Sequence, residues 1–269
     1  MNSRPVARLY DDGGSHHGGI DVALPEIVDR DVWLTARTEL LAREKDLTRQ
    51  RDALNVARRE LPMVEITEQY TFDGPDGVVG LVDLFAGRSQ SIVYHFMFDP
   101  SWEDGCASCT AGTDEITAGS LEHLAARDTS YAMVSRAPLA KLQRWQRLRG
   151  WDHIAWYSSF GSAFNYDFGV TIDESVGAGS YNYRTRAEWE ALGSDLFASP
   201  QPFEMPGRSC FLAVDGRVFH TYSQYARGLE STGGSYYFLD LTALGRQEDW
   251  ERPVDRADAV RAAVPDFSA

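Results

Sequence analysis

Two cysteines three residues apart, Cys106 and Cys109, are the residues in this chain best suited by type and spacing to do chemistry. They follow an apolar run, Ser91–Phe98, by a short loop and open a stretch that reads as a helix. In a first helical turn that spacing brings two sulfurs together. The N-terminal thiol then faces unpaired backbone N–H groups and the positive end of the helix dipole, which favour its thiolate. A dithiol that cycles through a disulfide needs this arrangement. The same pair also makes half of a zinc site. A zinc ribbon would want a second Cys-x-x-Cys, and only Cys210, His95, His123 and His220 remain to complete one. Asp99, Glu103 and Asp104 before the pair, and Asp114 and Glu115 after it, are expected to act the other way, since carboxylates near a thiol raise its pKa.

The elements that must hold this pair are legible from hydrophobic period. Ser91–Phe98 and Tyr131–Ser135 read as buried strands, Leu139–Leu148 as a helix and Ile154–Tyr157 as a further strand. Cys210–Val214 and Val218–Tyr222 flank Asp215-Gly216-Arg217 and read as a hairpin. Upstream, Met63–Thr67 alternates, and Tyr70–Phe72 and Val78–Leu81 flank the turn-forming run Asp73–Gly77. Strand, helix, strand, helix, strand and a closing hairpin make an α/β domain with mixed strand directions. Before it, Trp33, Leu40, Leu47, Leu54 and Leu61 recur every seven residues up to Pro62, which predicts one long helix with a narrow apolar stripe. Such a stripe braces the helix against its own domain or against a second copy in a homodimer. The predicted organisation is a tail over 1–24, a bracing helix over 25–62, an α/β domain over 63–250 and a second tail over 251–269.

Composition limits the function classes. With 26 basic and 40 acidic side chains the 269-residue chain carries a formal charge of −14, which disfavours nucleic acid and anionic membranes as partners. No apolar run approaches the length of a membrane span, and the first twenty residues carry no apolar signal core. The expectation is a cytoplasmic protein. His16 and His17 in the glycine-rich tail read as solvated, Ser158 and Ser159 lack a nucleophile-elbow context, and Gly177-Ala178-Gly179 is too sparse for a phosphate loop. His95 and His220 read as hydrogen-bonded packing residues. The aromatic segment from Asp173 to Phe203 reads as a lid, a partner surface or an excursion buried on the core.

Longer stretches of text carry a resemblance. Ala42–Arg49, Arg58–Pro62, Tyr94–Phe98, Gly105–Cys109, Ser135–Leu139, Ser158–Gly161, Phe164–Phe168 and Val218–Ser223 together resemble the DUF899 family of bacterial thioredoxin-like proteins, predicted dithiol-disulfide oxidoreductases. The resemblance covers about residues 26 to 245. It implies a thioredoxin-like mixed sheet with flanking helices, Cys106 as attacking thiol and Cys109 as resolving thiol. It also implies exchange with a thiol or disulfide protein or small molecule, an unidentified reductant, and no bound cofactor or metal. Trp102 precedes the pair somewhat as a tryptophan flanks the thioredoxin motif, with Glu103–Gly105 intervening. Pro206 is the candidate for the proline loop that faces the dithiol, with a cis bond plausible there, and Arg208 and Cys210 would follow it closely. Cys210 reads either as a third redox partner or as a buried cysteine starting a strand. The chain also looks somewhat like the peroxiredoxins, in which reading Cys109 attacks peroxide, Arg208 stabilises its thiolate and Cys106 resolves the sulfenic acid. The remaining alternative is a non-catalytic binding module on the same scaffold.

Overall fold

A computed structural model describes residues 24–177, 179–246 and 252. Residues 1–23 of the tail expected over 1–24, with His16 and His17, residues 251 and 253–269 of the tail expected over 251–269, and Ala178 of the glycine-rich run lie outside the described residues. The chain divides into two compact units at Glu60/Leu61 and Thr232/Gly233.

The first unit contains helix α1, Arg30–Arg59. Asp29 starts it: its carboxylate accepts from the amides of Asp31 and Val32, both at 3.1 Å, so the helix begins at this N-cap rather than at Pro25. Arg58 and Arg59 occupy the last turn, where the dipole favours cations. None of its residues is buried, and Leu47 and Leu54 on the heptad stripe are more than half exposed. The short helix α7, Ser235–Leu239, belongs to the same unit.

The second unit, Leu61–Thr232, is built on eight strands of one sheet. In chain order they are β1 (Val64–Glu65), β2 (Thr71–Gly74), β3 (Gly77–Gly80), β4 (Gln90–His95), β5 (Thr129–Ser135), β6 (Ala155–Ser158), and, after four short strands, β11 (Gly207–Val214) and β12 (Arg217–Tyr225). The four short ones are β7 (Thr171–Ile172), β8 (Ser180–Tyr181), β9 (Arg184–Thr185) and β10 (Phe203–Glu204), which pair as β7 with β10 and β8 with β9. The helices are α2 (Ala107–Asp114), α3 (Ala118–Ala125), α4 (Leu139–Arg149), α5 (Phe164–Asp167) and α6 (Arg186–Ala191).

The large sheet runs β1-β12-β11-β4-β5-β6-β2-β3. At its centre β4 and β5 are parallel, with Ile92 beside Tyr131, and the connection between them carries α2 and α3. On the other side of β4 lies β11, antiparallel, with Arg208 beside Tyr94. β12 then returns antiparallel to β11 through a two-residue turn. Asp215 and Gly216 both have positive φ, 52° and 75°, as the hairpin turn that matches strand twist requires. A parallel β-α-β pair flanked by an antiparallel hairpin, with a dithiol at the helix that follows the first strand, is the thioredoxin-like arrangement.

Side-chain alternation splits the core into two layers. On one face Tyr94 and Met133 join Phe96, Phe98, Leu142, Trp151, Trp156 and Cys109. On the other, Val93, Val134 and Phe211 pack with Phe72, Phe164, Phe168 and Tyr181. The Asp173–Phe203 segment is an excursion folded onto this second layer: Tyr181 and Phe197 are buried in it and Trp189 packs against it.

Candidate active site

Cys106 is the N-cap of α2, at φ −53° and ψ 128°, and its carbonyl accepts both the amide and the hydroxyl of Thr110 at 2.9 Å. Its own amide donates to the carbonyl of Met97 at 3.1 Å, which ties the helix start to the end of β4. The half-buried sulfur faces the amides of Ser108 and Cys109 and lies within hydrogen-bonding reach of the Cys109 thiol. Donation from Cys109, against the opposing effect of burial, lowers the Cys106 thiol to about 6. Cys109 is 2% exposed. Holding its proton toward Cys106, and being out of water, it is pushed well above the usual thiol range, with Tyr94 and the Met97 amide pulling back. One helical turn thus presents an activated thiolate and a protonated thiol side by side.

The loop before the dithiol is fastened by cations from α4 and β5. Arg136, just after β5, donates to Asp99 at 2.5 Å and to Glu204 at 2.6 Å, and Asp99 in turn caps Ser101. Lys141 donates to the carbonyls of Pro100 and Trp102 at 3.0 and 2.7 Å and pairs with Glu103. Arg144 pairs with Asp104 and also reaches the Glu103 carbonyl, and Arg149 pairs with Asp114. The expectation that these carboxylates would raise the Cys106 pKa is corrected: Asp99, Glu103, Asp104 and Asp114 are each matched by a cation, and none is among the groups that set the thiol. Gly105 fits because it has no side chain: a Cβ there would stand 2.7 Å from the Phe96 ring and 2.9 Å from Trp145 Nε1.

The other expected site residues scatter. Trp102 packs beside the Cys109 cluster and accepts from Lys141, so it anchors the loop. Pro206 stands just before β11 and its carbonyl accepts from Tyr181 at 3.0 Å; the cis bond that was plausible there is instead at Gln201–Pro202. Arg208 lies with its guanidinium 5.3 Å from the centre of the Tyr94 ring and donates to Thr232 at 2.6 Å. Cys210 is one two-residue step further along β11, beside Ile92 and Tyr222, and burial raises its thiol. His95 projects to the opposite face, where it bonds Ser209 at 2.8 Å and stacks on Phe168; burial lowers it to about 3. His220 joins the same chain through Ser223. Ser158 and Ser159 are buried and bond backbone and Asn165. Sequence reasoning missed Tyr94, Arg136, Lys141 and Arg144. For Tyr94 a signal existed, since alternation along β4 puts it on the face that α2 covers.

Fold and site together define a thioredoxin-like protein with a dithiol at the start of the helix after its first parallel strand. The match of the family model described as "Bacterial protein of unknown function (DUF899)" over residues 22–261 places the chain in that family, to which it belongs. No curated protein matches the sequence. Among solved structures, a mutant of PrxQ from Xylella fastidiosa is 8% identical, with 64% of this chain and 90% of that one covered and a TM-score of 0.38. A mutant of peroxiredoxin Q from Xanthomonas campestris is 9% identical, with 64% and 93% covered and a TM-score of 0.34. Likenesses this distant assign no chemistry to the chain. Among the described residues no helix is long and apolar enough to cross a membrane.

Proposed function

We propose that the chain is a thiol-disulfide oxidoreductase in which Cys106 attacks and Cys109 resolves. The observation that carries this reading is the unequal pair: a half-buried Cys106 thiol lowered to about 6 beside a buried, protonated Cys109. At neutral pH Cys106 is then mostly thiolate, the reacting form. It attacks one sulfur of a substrate disulfide, the substrate S–S bond breaks, and one half leaves and takes up a proton. Cys109 next attacks the Cys106 sulfur of the mixed disulfide. The Cys106–Cys109 bond forms, the second half leaves as a thiol, and two electrons have passed to the substrate. A thiol or dithiol reductant restores the pair. Sulfur carries the electrons throughout, so the cycle requires no bound cofactor.

The peroxidase alternative asks Cys109 to be the accessible thiolate, and its burial and raised pKa oppose that. Arg208, assigned there to the Cys109 thiolate, has its ring contact with Tyr94. A zinc-holding pair would need further ligands, and among the described residues no three His, Cys, Asp or Glu side chains converge.

The test is a redox titration against glutathione or dithiothreitol, read by alkylation and mass spectrometry at each cysteine. The expected result is a reversible two-electron Cys106–Cys109 couple at roughly −200 to −320 mV, the range of cytosolic poise. A pair that stays reduced throughout would overturn the reading.

A further inference from the structure

One margin of the large sheet is only partly covered. β1 pairs with β12 at Val64–His220 and Glu65–Phe219, and among the described residues no strand continues that pairing beyond His220. A groove of about 630 Å³ runs along this stretch of β12, a size ordinary for small-molecule sites. Leu61, Pro62 and Val64, leading into β1, give it an aliphatic lining. Tyr222 and Tyr225 from β12 and Tyr183 from the β8–β9 hairpin give it an aromatic one.

Tyr183 is placed there against its backbone preference. Tyr181 pairs with Arg184, so Asn182 and Tyr183 form the hairpin turn, with φ at 51° and 61°. Such a turn favours Asn-Gly, because both central residues need positive φ, and a bulky residue there is an outlier. Two contacts hold the tyrosine. Its hydroxyl donates to the Ser223 carbonyl at 2.9 Å, and its ring meets Tyr225 edge-on with centres 5.5 Å apart. Yet it stays 73% exposed, so an oriented aromatic face is left for a ligand to cover.

His220 also lines the groove and is braced from within the sheet. Its Nε2 bonds Ser223 Oγ at 2.7 Å, Ser223 bonds Ser209 at 2.7 Å, and Ser209 bonds His95 Nε2 at 2.8 Å. This chain crosses β12, β11 and β4, and all of it except His220 is buried. No carboxylate belongs to it, and burial holds His220 below the usual histidine range, so the ring is neutral at neutral pH. Among the described residues lining the groove there is no Asp, Glu, Lys or Arg. A charged ligand would therefore lose hydration there without meeting a counter-charge. Asn182 and Gln224 add uncharged amides to the lining, suited to one polar edge.

We propose that this groove binds a small uncharged aromatic molecule with a hydrogen-bonding edge, its ring packed on Tyr183. The site lies at β12, two strands from the β4 that leads to the dithiol, and does not rest on the redox reading.

The experiment titrates full-length reduced protein by ligand-observed NMR with 2-naphthol, an uncharged fused-ring probe carrying one hydroxyl. A parallel titration uses 2-naphthalenesulfonate, which keeps the rings and adds a fixed negative charge. 2-Naphthol should bind saturably with a dissociation constant of about 1 mM or lower, as suits a ligand this small. The sulfonate should bind about tenfold more weakly or worse. Tyr183→Gly suits the turn and removes the ring, so it should weaken 2-naphthol about fivefold or more. Val64→Glu brings a charge to the aliphatic lining from a position that is 64% exposed and tolerant of it, and should weaken 2-naphthol similarly. No saturable binding of 2-naphthol, or an affinity unchanged in Tyr183→Gly and Val64→Glu, would overturn the site. Equal affinity for the two probes would overturn the class of ligand.

Discussion

Cys106 and Cys109 share one helical turn yet differ in which state each prefers: the Cys109 thiol donates toward Cys106, so that one sulfur is held as thiolate and the other as thiol. The asymmetry follows from position. Cys106 is the N-cap and meets backbone amides, while Cys109 points inward to the layer formed by Phe96, Met133 and Trp156.

Cys106→Ser should remove exchange activity by at least about a hundredfold, since a serine hydroxyl does not ionise in this range. Cys109→Ser should instead form the mixed disulfide and stop there. Intact-mass spectrometry after addition of a small disulfide distinguishes the two. An adduct on Cys106→Ser and none on Cys109→Ser would reverse the assigned roles.

Gly105→Ala should disturb the approach to the dithiol, because the added methyl would overlap the buried Phe96 ring and Trp145. Overpacking of this kind costs about 1–3 kcal/mol, measured by urea unfolding. The alkylation profile of Cys106 should also shift, since this residue immediately precedes the N-cap.

Arg136→Met should leave Glu204, which is 2% exposed, without its cation. Breaking a buried pair from one side costs about 3–5 kcal/mol, so a loss of that order is expected in denaturant unfolding. Adding Glu204→Gln to the same chain should recover part of it. No recovery would mean that the cost lies in the freed Asp99 loop rather than in the stranded carboxylate.

Acid sensitivity has a traceable contribution from His95. Its folded pKa of about 3 lies below the ordinary value of 6.5, so between those limits the unfolded chain binds the extra proton. Stability therefore rises with pH across that window and falls on acidification from 6.5 toward 3. His95→Gln keeps a group able to bond Ser209 and does not titrate. Its melting temperature should fall less steeply over this window than that of the unsubstituted protein; parallel curves would contradict the assignment.

Much of this architecture was legible in the chain because it is written in local period. The alternating and continuous apolar runs mark β4, β5, β6 and the β11–β12 hairpin, and Asp215-Gly216 marks its turn. Cys-x-x-Cys at a helix start announced the dithiol. The electrostatics were not legible. Glu103 and Asp104 read as a threat to the thiolate because their partners, Lys141 and Arg144, lie 38 and 40 residues away on α4. Arg136 meets Glu204 across 68 residues, through packing that no local pattern encodes. The position of the cis bond, before Pro202 rather than Pro206, was equally hidden, since both are X-Pro bonds in the same approach to β11.

The most direct test of the unequal dithiol is the pH dependence of iodoacetamide alkylation of the reduced protein, followed residue by residue by mass spectrometry. Cys106 should be modified first, with a rate that rises through a midpoint near 6, the value to which donation from Cys109 lowers it, and levels off above. Cys109 should stay protected across the same range. A Cys106 midpoint in the ordinary thiol range of about 8.5, or earlier modification of Cys109, would contradict the assignment of attacking and resolving sulfurs.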